Sequence, residues 1–116
     1  MDIYHGWCDL KDGVSDMEFA TAFSAYLDSL KARGAIERYR LTRRKLGLGP
    51  AHLGEFHFMI ETRNLAQLDE AFRLAARREE PIEGAHFAVN KLVQNVQFAL
   101  YRDFPDPERL TGEEKF

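Results

Sequence analysis

Residues 55–62 read EFHFMIET, and this stretch decides the fold. Large apolar side chains alternate here with more polar or flexible ones: Phe56, His57, Phe58, Met59. A period of two residues is typical of a β-strand, because successive side chains point to opposite faces of a sheet. The stretch therefore predicts a strand with one aromatic face, which begins at Phe56, and one mixed face, which carries His57.

Three other stretches have a similar period. Residues 2–10 (DIYHGWCDL) carry apolar or aromatic side chains on both faces, which is typical of a central strand covered on both sides. Residues 36–44 alternate apolar with basic side chains and predict a strand near a sheet edge, and residues 92–101 predict a fourth strand. Between the second and third strands, residues 46–54 (LGLGPAHLG) are rich in glycine and predict a mobile hairpin loop.

The first helix is predicted from about Asp16 to Arg33. Ser15 and Glu18 fit a capping box, which satisfies the free amides at a helix start. Gly34 fits the left-handed position just beyond a helix end. Apolar residues recur on one face with a helical period: Phe19, Phe23, Tyr26, Leu27 and Leu30.

The second helix follows the third strand. Asn64 and Gln67 form a second capping signal. One face of this helix is apolar, with Leu65, Leu68, Phe72 and Ala75. Pro81 and Gly84 break the pattern, so residues 86–90 are expected to form only a short helical turn.

The composition predicts one compact domain. The chain has 116 residues, of which 45% are hydrophobic, and this is enough for one core. We assign residues 1–104 to the domain and residues 105–116 to a C-terminal tail. The net charge of −3 predicts no nucleic-acid or membrane partner. A single cysteine, Cys8, and the lack of any targeting or membrane-spanning segment make the expected location cytoplasmic.

The order β-α-β-β-α-β predicts an α+β, ferredoxin-like fold. Four antiparallel strands in the order 4-1-3-2 then carry both helices on one face. The face under the helices is almost wholly apolar or aromatic: Tyr4, Cys8, Leu10, Tyr39, Leu41, Phe56, Phe58, Ile60, Val96, Phe98 and Leu100. The helix-free face is mixed: Ile3, His5, Trp7, Arg38, Arg40, His57, Met59, Asn95, Gln97 and Tyr101.

The helix-free face predicts a homodimer. Four strands about 4.8 Å apart and about 20 Å long make a face on the order of 400 Å². A monomer rarely leaves residues such as Trp7, Met59 and Ile3 open to water over that area. Two such faces, with loops and tail, approach the roughly 1,000 Å² of a specific interface. We therefore expect two sheets to close around a shared interior space.

The sequence resembles the dimeric α/β-barrel superfamily, and within it the stress-responsive α/β-barrel group. The resemblance covers about residues 2–103 and rests chiefly on the order of elements. It also rests on four stretches: IYHGW, FHFMIET, NLAQLDEAF and GAHFAVNKLVQNVQFALYRDFP. It implies a two-fold dimer with a cavity in each barrel. The superfamily includes cofactor-free monooxygenases, haem-degrading enzymes, lactone isomerases and members without known activity, so it selects no single reaction.

His5 and His57 are the candidate catalytic residues. The predicted strand order makes the first and third strands neighbours, so the two imidazoles can approach on the helix-free face. Histidine titrates near neutral pH, so one of them can act as a general base toward an aromatic or oxygenated ligand. The alternative is a hydrogen-bonded pair that fixes the geometry of the dimer. Candidate ligand-binding residues share this face: Trp7, Arg40, Met59, Asn95, Gln97 and Tyr101.

Several function classes stay open at this level. A small-molecule-binding homodimer that performs a cofactor-independent oxidation or isomerisation competes with a non-catalytic homodimer, and no cofactor is expected. A metal site is not expected, because two histidines fall short of the ligands that zinc needs. Loop 46–54 is either a lid or a plain hairpin. Single-stranded RNA binding is disfavoured because it would bury His57, Met59 and Glu61 under the helices.

Overall fold

The computed structural model describes residues 1–107, so the predicted tail beyond residue 107 lies outside the described residues. Within them, seven elements follow one another along the chain. The strands are β1 (Asp2–Leu10), β2 (Arg38–Arg43), β3 (Phe56–Thr62) and β4 (Val93–Arg102). The helices are α1 (Asp16–Ala32), α2 (Leu65–Ala76) and α3 (Ile82–Asn90).

The four strands form one antiparallel sheet in the order β2-β3-β1-β4. This confirms the predicted strand order and the ferredoxin-like α+β fold. The central strand, β1, pairs with β3 on one side and β4 on the other, so that Trp7 lies opposite both His57 and Gln97. Because residues paired across strands share a face, this register keeps these three side chains together on the helix-free face.

Side-chain caps start α1 and α2 where the sequence predicts. Ser15 Oγ accepts a hydrogen bond from the backbone N–H of Glu18 at 3.0 Å. Asn64 Oδ1 accepts one from the backbone N–H of Gln67 at 2.9 Å. Beyond the end of α1, Gly34 takes a φ of 73°, a left-handed conformation that glycine adopts without steric cost. The predicted capping signals are confirmed.

The core lies between the sheet and the helices. It joins one face of α1 to side chains of the central strands: Cys8, Phe19, Phe23, Leu27, Leu30 and Phe56. Cys8 is 1% exposed, as expected for a residue under the helices. A Cβ atom built on Gly6 would lie 1.9 Å from Cζ of Phe58. Only glycine therefore lets the Phe58 ring lie across β1.

Residues 1–107 form three helices where the sequence predicts two. Residues 82–90 form α3 instead of a short turn, because Pro81 and Gly84 do not break it. Pro81 lies just before the helix, where its missing N–H removes no helical hydrogen bond. Ile82 is 2% exposed, so α3 packs on the core beside the other two helices. Among the described residues, no helix is both long enough and apolar enough to cross a membrane.

The edge strand β4 contains one β-bulge. Its pairing with β1 shifts between Trp7 and Asp9, and Asn95 takes a φ of 55°. The bulge directs Asn95 toward Asp9, whose Oδ2 accepts a hydrogen bond from Nδ2 at 3.2 Å. This hydrogen bond links β4 to β1 at the end of the sheet nearest the glycine-rich loop.

Candidate functional site

Rows of paired residues cross the helix-free face. Two adjacent rows, read from β2 to β4, are Arg40–Met59–His5–Ala99 and Thr42–His57–Trp7–Gln97. The side chains of such rows are neighbours. The two predicted catalytic histidines therefore lie diagonally opposite each other, on neighbouring strands.

A hydrogen bond joins the two histidines. Nδ1 of His5 is 2.9 Å from Nε2 of His57. The ring planes differ by 14° and the ring centroids are 5.1 Å apart. Since the nitrogens are much closer than the centroids, the rings meet edge to edge and not face to face. One imidazole must donate and the other accept, so at least one of them is neutral.

Trp7 lies parallel to the histidine pair. Its ring is within 3° of the plane of His57, with centroids 4.5 Å apart, and within 14° of the plane of His5, with centroids 5.8 Å apart. Tyr101 meets His5 edge-on, at a centroid distance of 5.0 Å. These four residues are termed the His–Trp cluster below. They form one continuous aromatic surface.

Partial burial keeps both histidines neutral. Burial lowers the pKa of His5, and burial together with the neighbouring His5 lowers the pKa of His57. Both shifts favour the uncharged imidazole. The His–Trp cluster is therefore an uncharged, half-buried surface at neutral pH.

The other predicted ligand-binding residues surround the His–Trp cluster. Arg40 and Met59 share the row of His5 on the side of β2. Gln97 and Asn95 lie on the side of β4, and both already have protein partners. Nε2 of Gln97 donates to the carbonyl oxygen of His52 at 2.9 Å. The structure thus brings the predicted residues together on one face.

The glycine-rich loop, residues 46–54, folds over the end of this face next to Trp7. Its carbonyl oxygens accept side-chain hydrogen bonds at four positions: Pro50, Leu53 and Gly54 from Arg44, and His52 from Gln97. The Arg44 Nη2 bonds are 3.1, 2.5 and 3.4 Å long. The loop is irregular, as predicted, but the expectation of a mobile loop neglects these specific anchors.

A cavity of about 190 Å³ lies on the other side of the sheet, beneath the helices. Its wall is rich in aromatic rings: Tyr4, Phe19, Phe23, Tyr26, Phe58, Phe72 and Phe98. Tyr4 stacks on Phe98 and meets Phe72 edge-on, each at a centroid distance of 5.2 Å. Phe72 and Phe98 are 46% and 57% exposed, so they mark the mouth of this helix-side cavity.

Few polar groups reach the helix-side cavity. Tyr26, His86 and Asn90 line one part of it, and the rings of Tyr26 and His86 are 5.3 Å apart. Burial raises the pKa of Tyr26, so its phenol stays protonated and can donate a hydrogen bond. Burial also raises the pKa of the Cys8 thiol to about 11, so Cys8 is an inert apolar group and not a nucleophile.

The sequence does not predict the helix-side cavity. In the sequence, the cavity is reflected only in the many aromatic residues on the face under the helices. A fully packed core would have the same composition, so the two cases cannot be told apart. Whether such rings interdigitate or leave space depends on the angles between helices and sheet. Among residues 1–107, no three histidine, cysteine or acidic side chains lie close enough together to hold a metal ion.

Solved structures share this fold at low sequence identity. The Arabidopsis thaliana protein At3g17210 is similar at 11% identity, with a TM-score of 0.71 over 91% of this chain and 98% of that chain. A dimeric ferredoxin-like protein of unknown function from Jannaschia sp. CCS1 is similar at 13% identity, with a TM-score of 0.64 over 89% of this chain and 100% of that chain. SnoaB, a cofactor-independent oxygenase from Streptomyces nogalater, is similar at 13% identity, with a TM-score of 0.61 over 90% and 97% of the two chains.

At such identities the likenesses establish the fold alone. No curated protein matches the chain in sequence. Residues 1–116 match the model of DUF6614, which is described as a family of unknown function. Neither the fold nor the family description assigns a reaction, so the function has to be inferred from the two faces of the sheet.

Proposed function

We propose that this chain, which belongs to the DUF6614 family of unknown function, forms a homodimer and binds a small aromatic molecule in the helix-side cavity. One observation carries the binding function: an apolar, aromatic-lined space that the core side chains do not fill. Protein interiors are close-packed, and voids much larger than a water molecule are few. A cavity of this kind is the usual setting for a small ligand.

The size of the helix-side cavity limits the ligand. An apolar cavity of about 150 Å³ is large enough to take up benzene. The volume here is about 190 Å³, so a one-ring or compact two-ring aromatic molecule fits. The exposed rings of Phe72 and Phe98 supply an apolar path inward from the surface.

The polar groups of the cavity favour an oxygenated ring. The protonated phenol of Tyr26 is a hydrogen-bond donor, and the amide of Asn90 is both donor and acceptor. A ligand hydroxyl or carbonyl near Tyr26 and His86 would find hydrogen-bond partners in a largely apolar wall. A phenol or an aromatic ketone therefore matches the cavity better than a plain hydrocarbon.

For a reaction, we propose a cofactor-independent oxidation or isomerisation of the bound aromatic molecule. His86 and Tyr26, which lie side by side in the cavity wall, can move a proton to or from a ligand oxygen. The similarity in fold to SnoaB, described as a cofactor-independent oxygenase, supports this class. Binding without turnover is the alternative. Oxidation by dioxygen is expected to show as oxygen uptake with 1-naphthol, isomerisation as a new product without oxygen uptake, and binding alone as neither.

The homodimer is proposed from the helix-free face. The His–Trp cluster and Met59 leave uncharged, largely apolar surface there, which is more than a monomer usually exposes. The description of the Jannaschia protein as dimeric supports the same arrangement. The predicted catalytic pair, His5 and His57, then belongs to the interface, where a hydrogen bond between neutral imidazoles needs no compensating charge.

Calorimetric titration with 1-naphthol tests the ligand site. The unaltered chain is expected to bind the probe, and Ala75→Phe, which adds a ring to the cavity wall, is expected to abolish binding. Ala66→Phe is the matched control, since Ala66 is exposed on the same helix and outside the cavity. Equal binding by both variants, or none by the unaltered chain, contradicts the proposed site.

Replacement of His57 by alanine separates the two interpretations of the histidine pair. We expect His57→Ala to weaken the dimer, measured by sedimentation, and to leave 1-naphthol binding unchanged, because the cavity lies across the sheet. Lost 1-naphthol binding in an intact dimer would instead assign the ligand to the helix-free face.

A further inference from the structure

A second pocket, of about 200 Å³, lies under the glycine-rich loop. The sheet and the loop contribute its walls: Trp7, Thr42, His57, Leu48, Gly49 and Leu53. It is termed the loop pocket. It lies on the opposite face of the sheet from the helix-side cavity, and the loop that covers it is held by Arg44 and Gln97 of the same chain.

Arg44 brings to the loop pocket a positive charge that has no ion-pair partner among residues 1–107. Three loop carbonyls share its Nη2 nitrogen. Among the described residues, no acceptor binds its Nε or Nη1 nitrogens and no carboxylate lies within ion-pair distance. Arg43, the next residue back, is instead paired with Asp16 and Glu55 at 3.0 Å each. Because Glu55 is engaged in this way, no carboxylate of the described residues neutralises the charge of Arg44.

The loop comes close to the guanidinium at Gly49. A Cβ atom built there would lie 2.7 Å from Nε of Arg44, so the loop backbone lies against the Nε side of this side chain. Both bidentate edges of a guanidinium include Nη2, which the loop carbonyls occupy, so Nη1 is the nitrogen left for a charge-assisted hydrogen bond to a carboxylate. Trp7 supplies a flat apolar wall in the same pocket, against which an aromatic ring can stack.

We propose that the loop pocket binds a small aromatic carboxylate, with its ring against Trp7 and its carboxylate on Nη1 of Arg44. The site is independent of the helix-side cavity and of its ligand. The pocket volume of about 200 Å³ limits the guest to one ring or a compact pair of rings. The glycine-rich loop acts here as the wall of a binding site and not only as a connection between β2 and β3.

Benzoate and benzamide are matched probes, because they differ chiefly in charge. Trp7 is the only tryptophan of the chain, so its fluorescence reports on the loop pocket directly. The titration uses the Ala75→Phe variant, whose added ring is expected to fill the helix-side cavity. We expect benzoate to change Trp7 fluorescence and to bind at least about tenfold more tightly than benzamide, since a charge-assisted hydrogen bond is the stronger kind.

Two variants test the role of Arg44. Arg44→Gln is expected to weaken benzoate binding at least about tenfold. Lys45→Gln removes the same charge one residue along, at an exposed position outside the pocket, and is expected to change binding less than about twofold. Equal losses in both variants would mean attraction to the general positive charge only, and would overturn the proposal.

Arg44 also holds the loop, so a measurement on the unaltered chain is needed as well. In nitrogen-15 NMR spectra, benzoate is expected to shift the Trp7 indole signal and the amides of Gly49 and Gly54. Shifts confined to residues of the helix-side cavity, or equal binding of benzoate and benzamide, would overturn the loop-pocket site. The 1-naphthol titration tests the helix-side cavity, and the benzoate experiments test the loop pocket. A negative result at one site therefore does not decide the result at the other.

Discussion

On the helix-free face, His5 and His57 share one proton in a hydrogen bond between β1 and β3. Because Nδ1 of His5 lies 2.9 Å from Nε2 of His57, the two rings can form their bond only while one imidazole accepts. Trp7, parallel to His57, shields one face of the pair from water. The pair is thus a neutral structural unit at neutral pH, and its protonation is expected to break it.

The free energy of unfolding should therefore depend on pH through this pair. Burial lowers the pKa of both histidines in the folded chain, whereas the unfolded chain titrates near pH 6.5. Between these values the unfolded chain binds more protons. The stabilisation is thus complete above about pH 6.5 and is lost as the pH falls through the lowered pKa values.

Urea unfolding between about pH 8 and pH 5 measures this dependence. His57→Gln is expected to weaken it and to cost about 1 kcal/mol at most at the higher pH, the value of one hydrogen bond. His52→Gln, in the glycine-rich loop, is the control and should leave the dependence unchanged. An unaltered slope in His57→Gln would show that the pair is not responsible.

Gly6 is the residue at which the backbone and a core ring are closest. A side chain there would meet the Phe58 ring at 1.9 to 2.5 Å. Gly6→Ala is therefore expected to lower the free energy of unfolding by about 1–3 kcal/mol, the cost of overpacking. The measurement is denaturant unfolding at fixed chain concentration.

Gly84→Ala is the matched control for Gly6→Ala. Its new methyl group would meet only the flexible carboxylate of Glu80, and it lies inside α3. Here alanine is expected to stabilise the fold by about 0.5–1 kcal/mol, because glycine loses more backbone freedom in a helix. A similar loss in both variants would mean that contact with Phe58 is not the cause.

At the scale of elements, short polar signals decide where helices begin, and packing decides how they are held. Ser15 and Asn64 cap α1 and α2 through their own side chains. α3 has no side-chain cap, and Ile82 instead holds its first turn in the core. The glycine-rich loop is also an element with its own internal order, built on Arg44.

The cap of α1 gives a prediction at this scale. Ser15→Ala removes the acceptor for the Glu18 amide and is expected to lower the free energy of unfolding by about 1 kcal/mol. Ser29→Ala, within the same helix, should have little effect or be slightly stabilising, since alanine is the better helix former. Thermal or urea unfolding of the two variants compares them directly. Equal effects would show that the loss is not one of capping.

At the scale of the whole molecule, one sheet separates two kinds of surface. The side under the helices holds the core and the helix-side cavity. The other side carries the His–Trp cluster, and among residues 1–107 only the glycine-rich loop covers it, at one end. In the proposed dimer, association and binding in the helix-side cavity are therefore assigned to opposite faces of the same four strands.

A charge on the helix-free face is expected to break the proposed dimer. Met59 lies between Arg40 and His5 in its row, so Met59→Lys would place an uncompensated ammonium there. We expect sedimentation to show a shift toward monomer while the fold is retained. Met17→Lys is the control, because Met17 is 69% exposed on α1, on the helix side of the molecule. A stable Met59→Lys dimer would contradict the proposed interface.

The sequence by itself determined the order of the strands and which side chains lie on each face of the sheet. Alternation in EFHFMIET and the capping signals were sufficient because a strand has a strict period of two and a cap acts within three residues. Both are local effects, so no distant part of the chain has to be known. The approach of His5 and His57 also followed, once the strand order made β1 and β3 neighbours.

Only the tertiary structure decided what the local pattern leaves open. Whether the aromatic rings under the helices fill their space, and whether Arg44 turns back into its own loop, depends on contacts between distant segments. The helical state of residues 82–90 is of the same kind, because burial of Ile82 outweighs the local signals of Pro81 and Gly84. Cavities and anchored loops depend on how helices, strands and loops are placed relative to one another. No periodic pattern in the sequence encodes that placement.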